Sequence, residues 1–80
     1  MPRPKNGFVV TGLRLYRMAA GESQTSLAKA IHVPPVEVGY MEQGRLIPSQ
    51  LQATRLTDFF GVDIEKLMKV ERLDDLLEKL

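Results

Sequence analysis

Two glycines, Gly21 and Gly44, enclose the stretch that most constrains how this chain of 80 residues folds. Between them, apolar residues recur at helical spacing in two sets, first Leu27, Ala28 and Ile31, then Val38 and Met41. Ser23 is a residue type that caps the start of a helix, and the prolines at 34–35 suit the first turn of the next helix. His32 tolerates the left-handed backbone conformation that often ends a helix. The stretch therefore predicts two short helices joined by a tight turn.

The flanking sequence predicts three more helices and an N-terminal arm, with no internal repeat and no strand-like alternation. The helices cover residues 11–20, 50–60 and 64–69, so one domain spans residues 9–69. The expected apolar side of the 50–60 helix comprises Leu51, Thr54, Leu56, Phe59 and Phe60. Residues 1–8 carry prolines and an Asn-Gly turn signal, which indicate a flexible arm. The predicted fold class is all-α, with five helices.

The end of the chain carries an apolar stripe of its own. Within residues 70–80, four apolar residues have the 3-4-3 spacing of a short coiled-coil seam: Val70, Leu73, Leu77 and Leu80. This spacing predicts a C-terminal amphipathic helix that forms the interface of a homodimer. Two heptads are short for that purpose, so the alternative is that the stripe folds back onto the chain's own core.

Composition excludes several classes of function. The chain has no cysteine, which excludes disulfides and thiolate metal sites, and its only histidine is His32. That histidine has no second ligand and no orienting carboxylate in its sequence context. We therefore predict no metal, no cofactor, no enzyme activity and no small-molecule substrate. Because no apolar run suits a membrane span or a signal-peptide core, we expect a cytoplasmic protein.

Charge is distributed unevenly along the chain, although the net charge is only +1. Up to Thr57, seven cationic and three anionic side chains give +4, whereas the four cations and seven anions that follow give −3. A basic front and an acidic tail suit a nucleic-acid face followed by an assembly segment, and an ordinary mixed surface is the alternative. Arg3 and Lys5 either reach into a DNA minor groove, as basic arms do, or belong to a disordered leader.

These features together resemble the lambda-repressor/Cro-like helix-turn-helix family, also called the XRE family. The resemblance covers about residues 13–68, and its marks are Ser23, Gln24, Leu27, Ala28, Ile31, Val33, Val38, Met41, Glu42, Gln43, Gly44, Arg45, Pro48, Ser49, Phe60, Gly61 and Val62. It implies a five-helix lambda-repressor-like domain that places helix 34–43 in the major groove of double-stranded DNA. It also implies a nucleoid-associated transcriptional regulator of the repressor type, from a bacterium or a phage.

The resemblance further implies which residues meet DNA phosphates. Gln24, at the start of the second helix, matches the glutamine that grips a phosphate and braces the reading helix. Gln43 and Arg45 stand where the family typically contacts phosphate, and Ser23 stands at a helix N-terminus that offers free N–H groups. For each of two further cations, Arg14 and Arg17, phosphate contact and an ordinary surface charge are equally good interpretations. Such contacts position a protein on DNA without reading its sequence.

The base-reading helix is where the chain departs from the family. The reading positions fall on Pro35, Val36 and Tyr40, with Glu37 beside them. Side chains that discriminate bases are mostly Arg, Lys, Asn and Gln, and none of these occurs in residues 34–41. Val36 suits a thymine methyl, Glu37 suits a cytosine amino group or a solvated surface, and Tyr40 suits DNA or surface packing. We therefore expect this helix to make few direct hydrogen bonds to base edges.

Two functions remain. The first is a sequence-specific DNA-binding transcriptional regulator that acts as a homodimer and depends in part on DNA shape. The second is a helix-turn-helix fold that binds a protein, such as a phage regulator of a host protein, through the face at 35–40. The retained phosphate-side residues favour DNA, whereas the apolar helix and the weak net charge favour a protein partner.

Overall fold

The computed structural model describes residues 9–72, which form five helices and two short strands. In chain order these are β1 (Val9–Thr11), α1 (Gly12–Ala19), α2 (Gln24–Ile31), α3 (Pro35–Glu42), α4 (Gln50–Phe60), α5 (Ile64–Met68) and β2 (Val70–Arg72). The predicted all-α fold class with five helices is confirmed. The basic arm with Arg3 and Lys5, and the tail positions Leu73, Leu77 and Leu80, lie outside the described residues.

Reciprocal side-chain caps explain where α2 and α4 begin. The Ser23 hydroxyl accepts the backbone N–H of Ser26, and the Ser26 hydroxyl returns the contact to the Ser23 N–H, both at 2.9 Å. Ser49 and Gln52 make the same reciprocal capping box at the start of α4. Each box satisfies N–H groups that a helix start leaves without partners. The predicted caps at both serines are thus confirmed.

The core lies where the five helices meet. Its buried members come from every helix and are Leu13, Leu27, Ala28, Ile31, Val33, Val38, Met41, Leu56 and Leu67. The apolar stripes predicted for α2 and α3 are therefore confirmed. The stripe predicted for α4 is only partly right, because Leu51, Thr54 and Phe59 are exposed and Leu56 is the fully buried residue of that helix.

A close approach at Gly12 fixes α1 against α5. A Cβ atom at this position would lie 1.9 Å from the backbone oxygen of Lys66, so no larger residue fits without a backbone shift. The Gly12 N–H donates to the Lys69 backbone oxygen at 2.9 Å. The start of α1 and the end of α5 are therefore joined through backbone atoms.

The two strands pair as an antiparallel ribbon that brings the ends of the described chain together. Val9 lies opposite Arg72, Val10 opposite Glu71 and Thr11 opposite Val70. This corrects the predicted C-terminal helix at its start, because residues 70–72 are extended rather than helical. The backbone leaves the helical region at Lys69, with ψ at 126°, and the following β-branched valine pairs its backbone with β1. The 3-4-3 spacing of the tail describes only nearby residues, so it could not predict that residues 70–72 pair with a strand about sixty residues earlier in the chain.

Candidate nucleic-acid interface

The turn between α2 and α3 determines which side of α3 faces outward. His32 ends α2 in the left-handed conformation at φ 60°, as its sequence position predicts, and the Val33 N–H donates to the Ala28 oxygen at 3.0 Å. Val38 and Met41 then pack into the core. The opposite side of α3 is left at the surface, where the exposed residues are Pro35, Val36, Tyr40 and the C-terminal cap Gln43.

A buried carboxylate on α3 ties this helix to α1 and α2. Glu42 is 3 % exposed and forms an ion pair with the Arg17 guanidinium, accepting from Nε and, at 3.2 Å, from Nη2. The Gln24 amide donates to the same carboxylate at 3.0 Å. Arg17 also donates from Nη1 to the Glu22 backbone oxygen at 2.9 Å. The orientation of α3 is therefore fixed by charge-assisted hydrogen bonds as well as by apolar packing.

Sequence reasoning assigned Glu42 only to the family's pattern and did not identify it as the centre of this network. The signal was present, because Glu42 follows Val38 by four residues and so lies on the buried side of the helix. A carboxylate on a core-facing position needs a cationic partner. Arg17, 25 residues earlier in the chain, is that partner.

The network changes how two predicted phosphate ligands are interpreted. The Arg17 side chain is 12 % exposed and its guanidinium is occupied by Glu42, so we assign it to the fold rather than to phosphate. Arg14 is exposed on the same helix, and its backbone N–H donates to the Thr11 hydroxyl at 3.3 Å. Of the two arginines, Arg14 is the one that presents its charge to solvent.

Gln24 lies across the start of α2 and against α3. Besides its bond to Glu42, its amide nitrogen and oxygen lie 3.7 and 3.8 Å from where a Cβ on Gly39 would be. These are ordinary contact distances, so the interior of the protein does not require a glycine there. The contacts agree with the bracing role that the resemblance implies for Gln24, while its contact with phosphate stays a prediction.

At the other end of α3, Arg45 stacks on Tyr40. The guanidinium carbon lies 5.5 Å from the centre of the tyrosine ring, which is within the range of a cation–π contact. The Arg45 N–H donates to the Tyr40 backbone oxygen at 2.8 Å. Both residues are exposed, as is Gln43 between them. A cation is thus held beside the exposed face of α3 and next to its C-terminal end.

Glu37 is directed toward α4. The Gln52 side chain donates to its carboxylate at 3.4 Å, and Glu37 is half-buried. This contact links the first turns of α3 and α4, since Gln52 also belongs to the capping box of α4. The arrangement gives Glu37 a partner on α4 rather than the fully solvated surface expected from the sequence, and base reading by this residue stays a prediction.

Comparison with known proteins gives one family. The family model described as a helix-turn-helix domain matches residues 11–69, and a comparison with curated proteins finds no match. Within the described part of the chain, no helix combines the length and the apolar character that a membrane crossing requires. The family match is consistent with the lambda-repressor/Cro-like resemblance, and such domains are typically DNA-binding modules without enzymatic activity. This chain belongs to the helix-turn-helix domain family, and DNA is the partner that its domain supports.

Proposed function

We propose that this protein is a sequence-specific DNA-binding transcriptional regulator of the bacterial or phage repressor type, which docks α3 in the major groove. The observation that carries the proposal is the outer side of α3, which is exposed between two groups suited to phosphate. Gln24 lies at the start of α2 and against α3, and Arg45 lies just beyond the C-terminal end of α3. The core and the Glu42 network hold α3 rigidly behind this face, and rigid support is what a reading helix requires.

Within this proposal, phosphate contacts come from Gln24, Gln43, Arg45, the helix start at Ser23 and the exposed Arg14. These residues are at the surface of the domain. They set orientation and affinity, whereas sequence preference comes from α3 and from DNA shape. The regulator would act at the nucleoid, in the cytoplasm.

The proposal includes a homodimer. Two-fold symmetric binding would place half-sites one helical turn apart, roughly 34 Å from centre to centre. The apolar tail positions Leu73, Leu77 and Leu80 are the proposed interface, on the strength of their spacing alone. Light scattering of the full chain and of a Leu77→Lys variant tests this step, because loss of an apolar seam position should yield a monomer. A monomeric wild-type chain at tens of micromolar would refute it.

Salt dependence of DNA binding tests the main proposal. The full chain is titrated into a random-sequence duplex at several salt concentrations, and the affinity is followed by fluorescence anisotropy. A protein that neutralises phosphates shows a slope of about −0.9 in log K against log salt for each phosphate contacted. Arg45→Ala should weaken binding to every sequence, whereas Lys66→Ala, which removes an exposed charge from α5, should have little effect. The absence of binding even at low salt would refute DNA binding.

A second candidate, binding of a protein partner through α3, is favoured by exposed apolar residues on α3, in the loop that follows it and at the start of α4. Val36 is 57 % exposed, Leu51 is 59 % exposed and Ile47 in the following loop is 87 % exposed. Exposed apolar groups that cluster on one face mark protein interfaces when the patch is large. The family match and the position of Arg45 lead us to rank DNA first. A chain that binds no DNA at low salt would bring this candidate forward.

A further inference from the structure

The exposed side of α3 carries apolar side chains at positions where a DNA-reading helix usually carries hydrogen-bonding side chains. Val36 is more than half exposed, and Pro35 before it is exposed as well. Residues 34–41 contain no Arg, Lys, Asn or Gln. Tyr40 has a hydroxyl, but its ring supports the Arg45 guanidinium. The first turn of α3 can therefore form apolar contacts and few hydrogen bonds with base edges.

Both carboxylates of α3 accept hydrogen bonds from side chains on other helices. Glu42 is buried in its pair with Arg17, and Glu37 accepts from Gln52 on α4. A free carboxylate on this face would repel phosphate and would select for the cytosine amino group. Because both acids are directed elsewhere, the outward chemistry of the first two turns is set by Pro35, Val36 and Gly39, together with the Tyr40 ring that carries Arg45.

Gly39 has no side chain that would keep DNA away from the backbone of α3. Among the described residues, the nearest atoms to a Cβ built at this position belong to Gln24 at 3.7–4.0 Å, an ordinary contact distance, so their packing does not require a glycine. Glycine in a helix interior costs roughly 1 kcal/mol relative to alanine. Its position three residues after Val36 lies toward the same side of α3. A groove wall can thus come close to the helix backbone beside the valine.

The major groove offers one apolar feature on a base edge, the methyl group at C5 of a pyrimidine. We propose that α3 selects DNA by C5-methyl groups, with Val36 as the main contact and Pro35 beside it. This inference rests on the proposed function, since it needs α3 in the major groove. The same methyl group occurs in thymine and in 5-methylcytosine, and the test separates these two sources.

The test uses the full chain and one duplex selected by it from a random pool. Three versions of that duplex are compared: the original, one with uracil for every thymine, and one with 5-methylcytosine for every cytosine. Loss of a contacted methyl should weaken binding about fourfold, the factor that corresponds to burying one such group. A weaker uracil duplex identifies thymine as the source, and a tighter 5-methylcytosine duplex identifies methylated cytosine.

A matched pair of variants assigns the effect to Val36. For Val36→Ala, the ratio of the affinities for duplexes with and without the C5-methyl groups should fall toward one. Met18→Ala removes a similarly exposed side chain (58 %) from α1 and should keep the wild-type ratio. Both positions are at the surface, so both variants should fold. Equal affinity of the wild type for all three duplexes, with a steep salt dependence retained, would overturn this inference and leave DNA binding intact. No binding to any duplex at low salt would overturn both.

Discussion

The network around Glu42 gives the sharpest test of how α3 is held. Replacing Arg17 by Met keeps the aliphatic part of the side chain but leaves a carboxylate that is 3 % exposed with the Gln24 amide as its remaining partner. Removing one partner of a buried pair costs about 3–5 kcal/mol, because a desolvated charge remains. At roughly 0.05–0.15 kcal/mol per residue, a chain of 80 residues has about 4–12 kcal/mol in total. Arg17→Met should therefore leave the domain marginally folded.

The reverse substitution should be milder. Glu42→Gln retains one carbonyl oxygen, which can accept from Arg17 Nη2 and from Gln24 as Oε1 does now, but its amide nitrogen then faces the Arg17 Nε donor, so the variant loses one hydrogen bond as well as the charge of the carboxylate. Loss of one charge-assisted hydrogen bond predicts a cost of about 1.5–3 kcal/mol, below the cost expected for Arg17→Met. The Arg17 side chain is also less completely buried, at 12 %, and so tolerates the loss of its counter-charge better.

Urea denaturation followed by circular dichroism measures both effects as changes in the free energy of unfolding. Arg14→Met is the matched control, since it removes an exposed arginine from the same helix and should change stability by less than about 0.5 kcal/mol. The reasoning fails if Arg17→Met destabilises no more than Arg14→Met. It also fails if Glu42→Gln costs more than Arg17→Met, because the asymmetry follows directly from which partner is more deeply buried.

Three glycine-related predictions concern the backbone. Gly12→Ala should lower the free energy of unfolding by about 3 kcal/mol or more, because the added Cβ would meet a backbone oxygen at 1.9 Å; a change below 1 kcal/mol in urea denaturation would contradict this. His32→Gly should raise Tm, by the few degrees that correspond to about 0.5–1 kcal/mol, because glycine adopts φ 60° without strain; a lower Tm would show that the histidine side chain contributes more than its strain costs. Gly39→Ala should stabilise the free protein by up to about 1 kcal/mol and weaken DNA binding, and unchanged affinity would show that no groove wall approaches this residue.

Short-range signals explain why most of the helical part could be predicted. The caps at Ser23 and Ser49, the left-handed end at His32 and the core positions of α2 and α3 all depend on residues within about four positions of each other. Such patterns report directly on hydrogen bonds and periodicity along one helix. The same reasoning was only partly right for α4, because Leu51 and Phe59 satisfy a helical spacing and yet are exposed.

Features that depend on distant residues could not be predicted in the same way. The ribbon between β1 and β2 joins segments from opposite ends of the domain, and residues 70–72 look equally suited to a helix when read alone. The Arg17–Glu42 pair likewise spans two helices, and it changes Arg17 from a candidate phosphate ligand into part of the scaffold. In both cases the partner decides the role of the residue, and the partner is known only once the helices are packed.

The two groups nearest to the proposed phosphates should behave differently under salt, and this difference separates binding from scaffolding. Arg45 carries a charge and contacts the protein through its own backbone and the Tyr40 ring, so Arg45→Ala should lower affinity and also reduce the salt slope by about 0.9. Gln24 is uncharged and donates to Glu42 at 3.0 Å, so Gln24→Ala should lower both stability and affinity while leaving the slope nearly unchanged. Affinity titrations across a salt series, together with urea denaturation of the same variants, measure all three quantities. A slope that is unaffected by Arg45→Ala would remove this arginine from the phosphate contacts. A Gln24→Ala variant with wild-type stability would show that its bond to Glu42 does not hold α3.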